Sequence, residues 1–195
     1  MNYKIILASG SPRRQQLMRA LRIPFSVRTT FVSEDYPTDL AAEDVAEFLA
    51  GKKGKAYQGA LADDELVITA DTTVVLEERI LNKPADATEA QAMLRSLSGR
   101  SHRVITGVGL TTAASVQTFA DATTVHFRVL TDEEIDFYVE NYQPYDKAGG
   151  YAIQEWIGMV AIEGIVGSYF NVVGLPVEKL YQELRRFGKI QPTPF

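Results

Sequence analysis

The chain has 195 residues, of which 46% are hydrophobic and 23% charged, and its formal net charge is −5 at pH 7. These values predict one globular domain, and no apolar run approaches the length of a membrane span. The acidic balance argues against a general nucleic-acid-binding protein, so any anionic ligand must be held by a local cluster of cations. The absence of cysteine excludes disulfides and cysteine-ligated metals, and the two histidines, His102 and His126, are too few for a histidine-rich metal site.

Near the amino terminus, a strand-length apolar run leads into a capped helix. Residues 5–8 form the run, which a serine and a glycine end. Ser11 suits the N-cap and Pro12 the first helical position, so Arg13 and Arg14 lie in the first turn, where the helix dipole is already positive. Free N–H groups beside two guanidinium groups suit a phosphate, whereas the alternative is a solvated helix start whose arginines pair with carboxylates.

The next segment contains a second strand, a loop and a helix. Residues 24–29 alternate as in a strand, and residues 31–40 form a polar loop. Residues 43–61 have a helical pattern that two glycines weaken. Lys53 lies four residues after Leu49, which places it on the inward-facing side. A lysine there is more often a stem at the edge of the core than a ligand-binding group.

An acidic residue follows the most apolar segment of the chain. Residues 66–70 are typical of a buried strand, and they lead into Asp71. An acid where a central strand emerges is a recurrent catalytic placement, although Asp71 could equally cap the next turn. Residues 74–76 and 80–81 favour two further short strands, and Lys83 closes this hairpin.

The second half of the chain carries further helices and strands. In chain order, these are a helix over 86–97, antiparallel strands over 102–110 and 117–130, a helix over 131–142, short strands over 159–162 and 167–173, and a helix over 177–187. The first two helices each begin with a capping box, Asp86 with Glu89 and Thr131 with Glu134. Helical spacing predicts that Tyr142 is buried.

Between these elements, residues 146–154 place paired glycines after an Asp-Lys step. Such glycines are typical either of backbone that approaches a ligand or of a tight turn.

Eight short motifs occur together in one order, and through them the chain resembles the Maf family of nucleoside triphosphate pyrophosphatases over nearly its whole length. They are residues 8–14, 70–75, 80–84, 97–100, 106–108, 146–154, 167–169 and 171–176. The resemblance implies a mixed α/β fold of two lobes around a long bent mixed sheet, like that of the inosine triphosphate pyrophosphatases, in a single domain over 1–195. It also implies a nucleotide cleft, a divalent metal, a cytoplasmic setting and often a homodimer.

The implied reaction is hydrolysis between the α- and β-phosphates, which gives a nucleoside monophosphate and pyrophosphate. By resemblance, Asp71 accepts the proton of the attacking water, and Glu34 and Asp71 are the metal-binding acids. Mg²⁺ or Mn²⁺ suits an oxygen-rich site of this kind. The substrate-binding residues that the resemblance implies are Ser9, Arg13, Arg14, Lys53, Thr72, Lys83 and Gln154.

The assignment of Lys53 has a competitor. The family pattern Leu-Ala-x-x-Lys-Ala corresponds here to residues 49–54, but the last position is Gly54. Lys55 with Ala56 is therefore a second possible register.

Within the family, residues 146–154 resemble the branch that acts on dTTP and UTP. In that branch, Arg13, Thr72 and Gln154 correspond to specificity positions, and the amide of Gln154 can both donate to and accept from the imide edge of a pyrimidine. A second branch acts on 7-methyl-GTP, whose cationic base favours an aromatic face such as Trp156. A tryptophan, however, more often fills a gap between lobes. The alternative from another class is a non-enzymatic binding protein that regulates septation.

Overall fold

The computed structural model describes residues 3–188 and Pro192. In this part of the chain, the strands are β1 (Lys4–Leu7), β2 (Phe25–Val27), β3 (Glu65–Leu76), β4 (Arg79–Leu81), β5 (Ser101–Thr111), β6 (Val116–Phe127) and β7 (Ile162–Val166). The helices are α1 (Pro12–Ala20), α2 (Val45–Gln58), α3 (Ala87–Leu97), α4 (Asp132–Tyr142), α5 (Trp156–Ala161), α6 (Tyr169–Val173) and α7 (Val177–Phe187), with a 3-10 turn at Ala148–Gly150. None of the helices in the described ranges is long and apolar enough to cross a bilayer.

The strands form one mixed sheet in the order β2-β1-β3-β5-β6-β7, with β4 paired to β3. Strand β1 runs parallel to β2 and β3, whereas β4 is antiparallel to β3, and β7 to β6. A tight turn in which the amide of Thr112 donates to the carbonyl of Ser115 joins the neighbouring strands β5 and β6. The predicted mixed α/β class is confirmed.

The chain divides into two compact units, each assembled from segments that are distant in sequence. The first unit comprises Met1–Asp71, Thr106–Asp121 and Gly174–Phe195, and the second comprises Thr72–Ile105 and Ala122–Val173. In the first, Ile6, Val67 and Tyr57 form a buried cluster. In the second, helices α3 and α4 pack on β6 through buried apolar side chains, namely Leu94, Leu97, Val125, Phe127, Ile135, Tyr138 and Val139.

In the first unit, glycines let helix α2 approach strand β5 closely. A Cβ added at Gly107 would lie 2.3 Å from the backbone oxygen of Ala46, inside van der Waals contact. On the helix side, a Cβ at Gly54 would lie 2.3 Å from Oγ1 of Thr111. Gly54 weakens the intrinsic propensity of α2, and the close packing that it permits offsets this cost.

The capping signals are largely confirmed. Ser11 is the N-cap of α1, with Pro12 in the first turn, and Thr131 forms a complete capping box with Glu134 at α4. Asp86 caps α3, accepting the amide of Glu89. In a capping box, the carboxylate of Glu89 would accept the amide of the N-cap residue Asp86. It instead accepts the amide of Ala85 at 2.7 Å, so this half of the prediction is wrong.

Two short strands and one buried residue were predicted wrongly. Residues 159–161 belong to helix α5, and β7 begins only at Ile162. Residues 169–173 form helix α6, although the sequence favours a strand. Tyr142 is exposed at the carboxyl end of α4, where it stacks on Tyr138.

The reason for the helix at 169–173 is a tertiary contact. Asn171 is fully buried, and its side-chain amide donates to the carbonyl of Val104 at 2.9 Å and to Oγ1 of Thr123 at 3.0 Å. Its backbone N–H donates to Oγ of Ser168. A buried amide must be hydrogen-bonded, and this requirement outweighs the weak strand propensity of the segment.

Candidate active site

The loop before α1 is held by its own serines. Ser9 is buried, its hydroxyl oxygen accepts the amide of Ser11 at 3.2 Å, and its carbonyl accepts a hydrogen bond from the side chain of Gln15. Arg13 lies partly buried in the first turn of α1. Of the predicted phosphate-binding residues, Ser9 therefore lies in the hydrogen-bonded loop before α1 and Arg13 in the first turn of the helix.

Arg14 is directed at backbone oxygens. Its Nε donates to the carbonyl of Gly174 at 2.8 Å, and its Nη1 donates to the carbonyl of Ala70 at 2.9 Å. Burial lowers the pKa of the Arg14 guanidinium, while the negative charges of Asp71 and Glu34 act in the opposite direction and the positive charge of Arg13 adds to the lowering. These charges therefore lie within electrostatic range of one another.

Lys53 joins two of the predicted acidic residues. Its Nζ lies 2.5 Å from Oδ1 of Asp71 and 2.8 Å from Oε1 of Glu34. The side chains of Lys53 and Asp71 are only 18% and 13% exposed, whereas that of Glu34 is 54% exposed. Lys55, the alternative register, is exposed on α2. The structure thus brings Lys53 to Asp71 and Glu34, a contact that its spacing alone did not predict, since that spacing favours a stem at the edge of the core.

Lys52, which precedes Lys53 on α2, fastens the loop that carries Glu34 to this helix. Nζ of Lys52 donates to Oγ of Ser33 at 3.2 Å and to the backbone oxygen of Asp35 at 2.9 Å. Nζ of Lys52 also pairs with the Asp35 carboxylate. The hydroxyl of Ser33 and the ammonium of Lys52 lower the pKa of Asp35 to about 2. Asp35 is therefore ionised at neutral pH, and the clamp holds Glu34 beside Lys53.

The position of Asp71 in its strand differs from the prediction. We expected a strand over 66–70 with Asp71 at its end, but β3 runs without interruption from Glu65 to Leu76. Its second half pairs with β4, through Val74 opposite Leu81. Asp71 therefore lies in the middle of a long strand, where pairing on the sheet holds its backbone rigidly.

Two carboxylates, those of Asp71 and Glu34, contact the same cation, the ammonium of Lys53. Among the described residues, no group of three or more acidic or histidine side chains is placed to hold a metal ion. Mg²⁺ is commonly bound by one or two carboxylates, with water and substrate phosphates as the other ligands. The donor set of Asp71 and Glu34 fits that mode.

In the second unit, the segment over 146–154 packs beside Lys83. The amide of Gly149 donates to the carbonyl of Asn82 at 3.1 Å. Gly149 has φ of +71°, and an added Cβ would lie 2.9 Å from the side chain of Val74. Of the two interpretations of the paired glycines, the structure shows a tight turn packed against a strand. Lys83 itself is exposed.

Gln154, the predicted base-reading residue, is exposed and is flanked by an ionic network. The hydroxyl of Tyr138 donates to the Glu155 carboxylate at 2.5 Å and accepts the amide of Ala152 at 3.2 Å. The other carboxylate oxygen of Glu155 lies 3.4 Å from Nζ of the buried Lys147. This network fixes the backbone on both sides of Gln154. No spacing pattern in the sequence indicates this network, because Tyr138 lies on α4, away from residues 146–154.

The core of the second unit contains a buried histidine. Nε2 of His102 and Oη of Tyr151 are 2.6 Å apart in a hydrogen bond, and both rings contact Phe127 edge-on. Burial lowers the pKa of His102 from its usual 6.5 to about 4. His102 is therefore neutral in the folded protein at neutral pH.

We expect acid to destabilise the fold through His102. The folded pKa lies below the unfolded pKa, so between pH 6.5 and 4 the unfolded chain binds a proton that the folded chain does not. The free energy of unfolding should therefore fall as the pH drops through this window, by about 3 kcal/mol in all. Urea unfolding at several pH values measures the slope. His102→Gln should flatten this slope of unfolding free energy against pH. His126→Gln should keep most of it, because burial is a larger cause of the lowered pKa of His102 than the charge of His126. Equal slopes for His102→Gln and the wild type would refute this assignment.

The aromatic residues that could face a methylated base belong to the core of the second unit. Trp156 packs against that core and contacts Phe137, with ring centroids 4.8 Å apart. Tyr151 is buried between His102 and Phe127. Trp156 thus packs on the core of the second unit, and the prediction that it fills a gap between lobes stays a prediction.

The predicted site residues thus fall into two groups. Ser9, Arg13, Arg14, Glu34, Lys53 and Asp71 belong to the first unit, where Lys53 contacts both acids. Thr72, Lys83 and Gln154 belong to the second unit. We did not identify the contacts of Lys52 with Ser33 and Asp35, or the network of Tyr138 with Glu155, from the sequence.

Comparison with known proteins gives three kinds of match. A curated protein of Bacteroides fragilis named dTTP/UTP pyrophosphatase is 52% identical over 185 residues, which cover 94% of this chain and 96% of that protein. Proteins of the same name from Phocaeicola vulgatus and Porphyromonas gingivalis are each 50% identical, over 94% and 96% of this chain, and the match covers 96% of each relative. Among solved structures, a HAM1 protein from Coxiella burnetii matches with a TM-score of 0.49 and 17% identity, over 94% of this chain and 99% of that one. The family model described as Maf-like protein matches residues 4–187, and the chain therefore belongs to the Maf family.

Proposed function

We propose that this protein is a nucleoside triphosphate pyrophosphatase that hydrolyses dTTP and UTP to the monophosphate and pyrophosphate. The observation that carries the proposal is the contact of Lys53 with Asp71 at 2.5 Å, close to the arginines at the start of α1. Curated relatives named dTTP/UTP pyrophosphatase, at 50–52% identity over most of the chain, support the reaction and the substrate class.

In the proposed reaction, Asp71 accepts a proton from water as the water oxygen attacks the phosphoric anhydride between the α- and β-phosphates. The P–O bond of the anhydride breaks, and its electron pair leaves with the pyrophosphate oxygen. Such a reaction needs positioning and charge neutralisation more than covalent catalysis. Lys53 supplies a cation that can exchange its carboxylate partners for a phosphate oxygen, and Arg13 a guanidinium for bidentate contact.

Glu34 and Asp71 are the residues that would hold a divalent metal. Mg²⁺ or Mn²⁺ bound there would supply charge neutralisation for the phosphates. The roles of Lys83, Thr72 and Gln154, and the homodimer that the resemblance implies, stay predictions.

The proposal is tested by pyrophosphate release from dTTP, UTP, CTP and 7-methyl-GTP, measured side by side with Mg²⁺. We expect dTTP and UTP to be the best substrates, because a glutamine can pair with the acceptor-donor-acceptor edge of their bases. A clear preference for 7-methyl-GTP would overturn the choice of substrate. No turnover of any nucleotide by the folded protein would favour the regulatory binding protein instead.

The same panel applied to Gln154→Leu tests the base contact. Loss of two neutral hydrogen bonds should lower kcat/KM for dTTP roughly tenfold and reduce the preference over CTP. Gln182→Leu on the exposed face of α7 is the matched control and should keep the wild-type preference. An unchanged preference in Gln154→Leu would remove Gln154 from the base-reading role.

A further inference from the structure

The guanidinium of Arg14 holds backbone on two other segments of the chain. Two of its five N–H donors are used on backbone carbonyls, those of Gly174 at 2.8 Å and Ala70 at 2.9 Å. Burial of this guanidinium also lowers its pKa. A guanidinium committed to neutral carbonyls in a partly buried position is typical of a structural cross-link rather than of a ligand-binding group.

One of the two carbonyls belongs to the peptide that joins Ala70 to the candidate catalytic residue Asp71. The carbonyl of Ala70 and the amide nitrogen of Asp71 are parts of one planar peptide unit, so a hydrogen bond that fixes the first fixes the orientation of the second. Gly174 has φ of +120° and starts the turn that leads into α7. Arg14 therefore connects the start of α1 to the backbone of Asp71 and to this turn.

The electrostatics favour the same arrangement. The negative charge of Asp71 stabilises the partly buried guanidinium of Arg14, which offsets part of the cost of its burial. Lys53 contacts the carboxylate of Asp71 directly, and Arg14 holds the peptide that precedes it. The carboxylate and the backbone of Asp71 are thus held by two different cations.

We propose that Arg14 is a positioning residue, which orients Asp71 through the Ala70 carbonyl rather than by binding the triphosphate. The proposal rests on the proposed function in one respect, the catalytic role of Asp71. It removes Arg14 from the phosphate-binding role that the sequence analysis assigns to both arginines.

Kinetics of two matched variants separate these roles. Arg14→Lys keeps the charge but loses the planar fork, so kcat for dTTP should fall roughly a hundredfold, as expected for a displaced catalytic group, with KM nearly unchanged. Arg13→Lys should mainly raise KM, because it weakens contact with the phosphates. Raised KM with wild-type kcat in Arg14→Lys would overturn the proposal.

A second test of this proposal uses the wild-type protein, so it depends neither on turnover nor on whether a variant folds. Nuclear magnetic resonance can detect the scalar coupling across the hydrogen bond between Nε of Arg14 and the carbonyl carbon of Gly174. We expect this coupling to persist when inorganic pyrophosphate is added, while the Nε resonance of Arg13 shifts. If pyrophosphate abolishes the coupling, Arg14 is a phosphate ligand and the proposal is wrong. Failure of the proposed function would instead appear as absent turnover in the wild type, with the coupling intact.

Discussion

Asp71→Asn is expected to reduce kcat for dTTP by about a thousandfold, within the range that a general base contributes. The asparagine has nearly the same shape, and its side-chain oxygen can still accept a hydrogen bond from Lys53, but the amide cannot take a proton from water. Pyrophosphate release at saturating dTTP measures the effect. KM should change far less than kcat, because the phosphate-binding cations stay in place.

The control for this variant is Asp64→Asn. Asp64 forms an exposed ion pair with Lys4, with Oδ2 and Nζ 2.7 Å apart, and such surface pairs contribute little to stability. We expect its activity to match the wild type, and circular dichroism should show both variants folded. Activity of Asp71→Asn within a few-fold of the wild type would end the assignment of Asp71 as the base.

Gly107→Ala is expected to destabilise the first unit severely. The added Cβ would lie 2.3 Å from the backbone oxygen of Ala46 and 2.4 Å from Cα of Glu47, and helix backbone cannot yield as a side chain can. Overpacking of this kind costs about 3 kcal/mol or more. Helix α2 must move away from β5, and because α2 carries Lys53, the contact with Asp71 should loosen as well. Urea unfolding and dTTP turnover measure the two effects.

Gly59→Ala is the matched control at the carboxyl end of α2. An added Cβ there meets nothing within 4 Å, and φ of −74° suits alanine. We expect its unfolding midpoint to stay near that of the wild type. If Gly107→Ala were as stable as Gly59→Ala, the close approach of α2 to β5 would not exist in solution.

Local sequence signals were sufficient to predict where a helix begins when the residues at its own end form the cap. Ser11 with Pro12 and Thr131 with Glu134 start α1 and α4 where the sequence places them, because a cap satisfies backbone donors within the same few residues. Helix α7 likewise has the predicted bounds, 177–187.

The sequence-based predictions failed for two short apolar segments. Residues 159–162 and 167–173 satisfy either a strand or a short helix, since periodicity cannot separate the two at this length. The helix over 169–173 is decided by the buried amide of Asn171, whose partners Val104 and Thr123 are 67 and 48 residues distant in the chain. Contacts of that range leave no local pattern.

For the candidate site, the sequence by itself determined the residue types, their order and the family, and it placed Lys53 on the inward-facing side of its helix. Only the tertiary structure decided that Lys53 meets both Asp71 and Glu34, and that Arg14 holds the backbone before Asp71. The physical reason is that these contacts depend on how closely α2 and α1 approach the sheet. For α2 that distance depends on glycines on both the helix and the strand, Gly54 and Gly107, and for α1 on backbone carbonyls of other segments. Periodicity within one segment carries no information about such contacts.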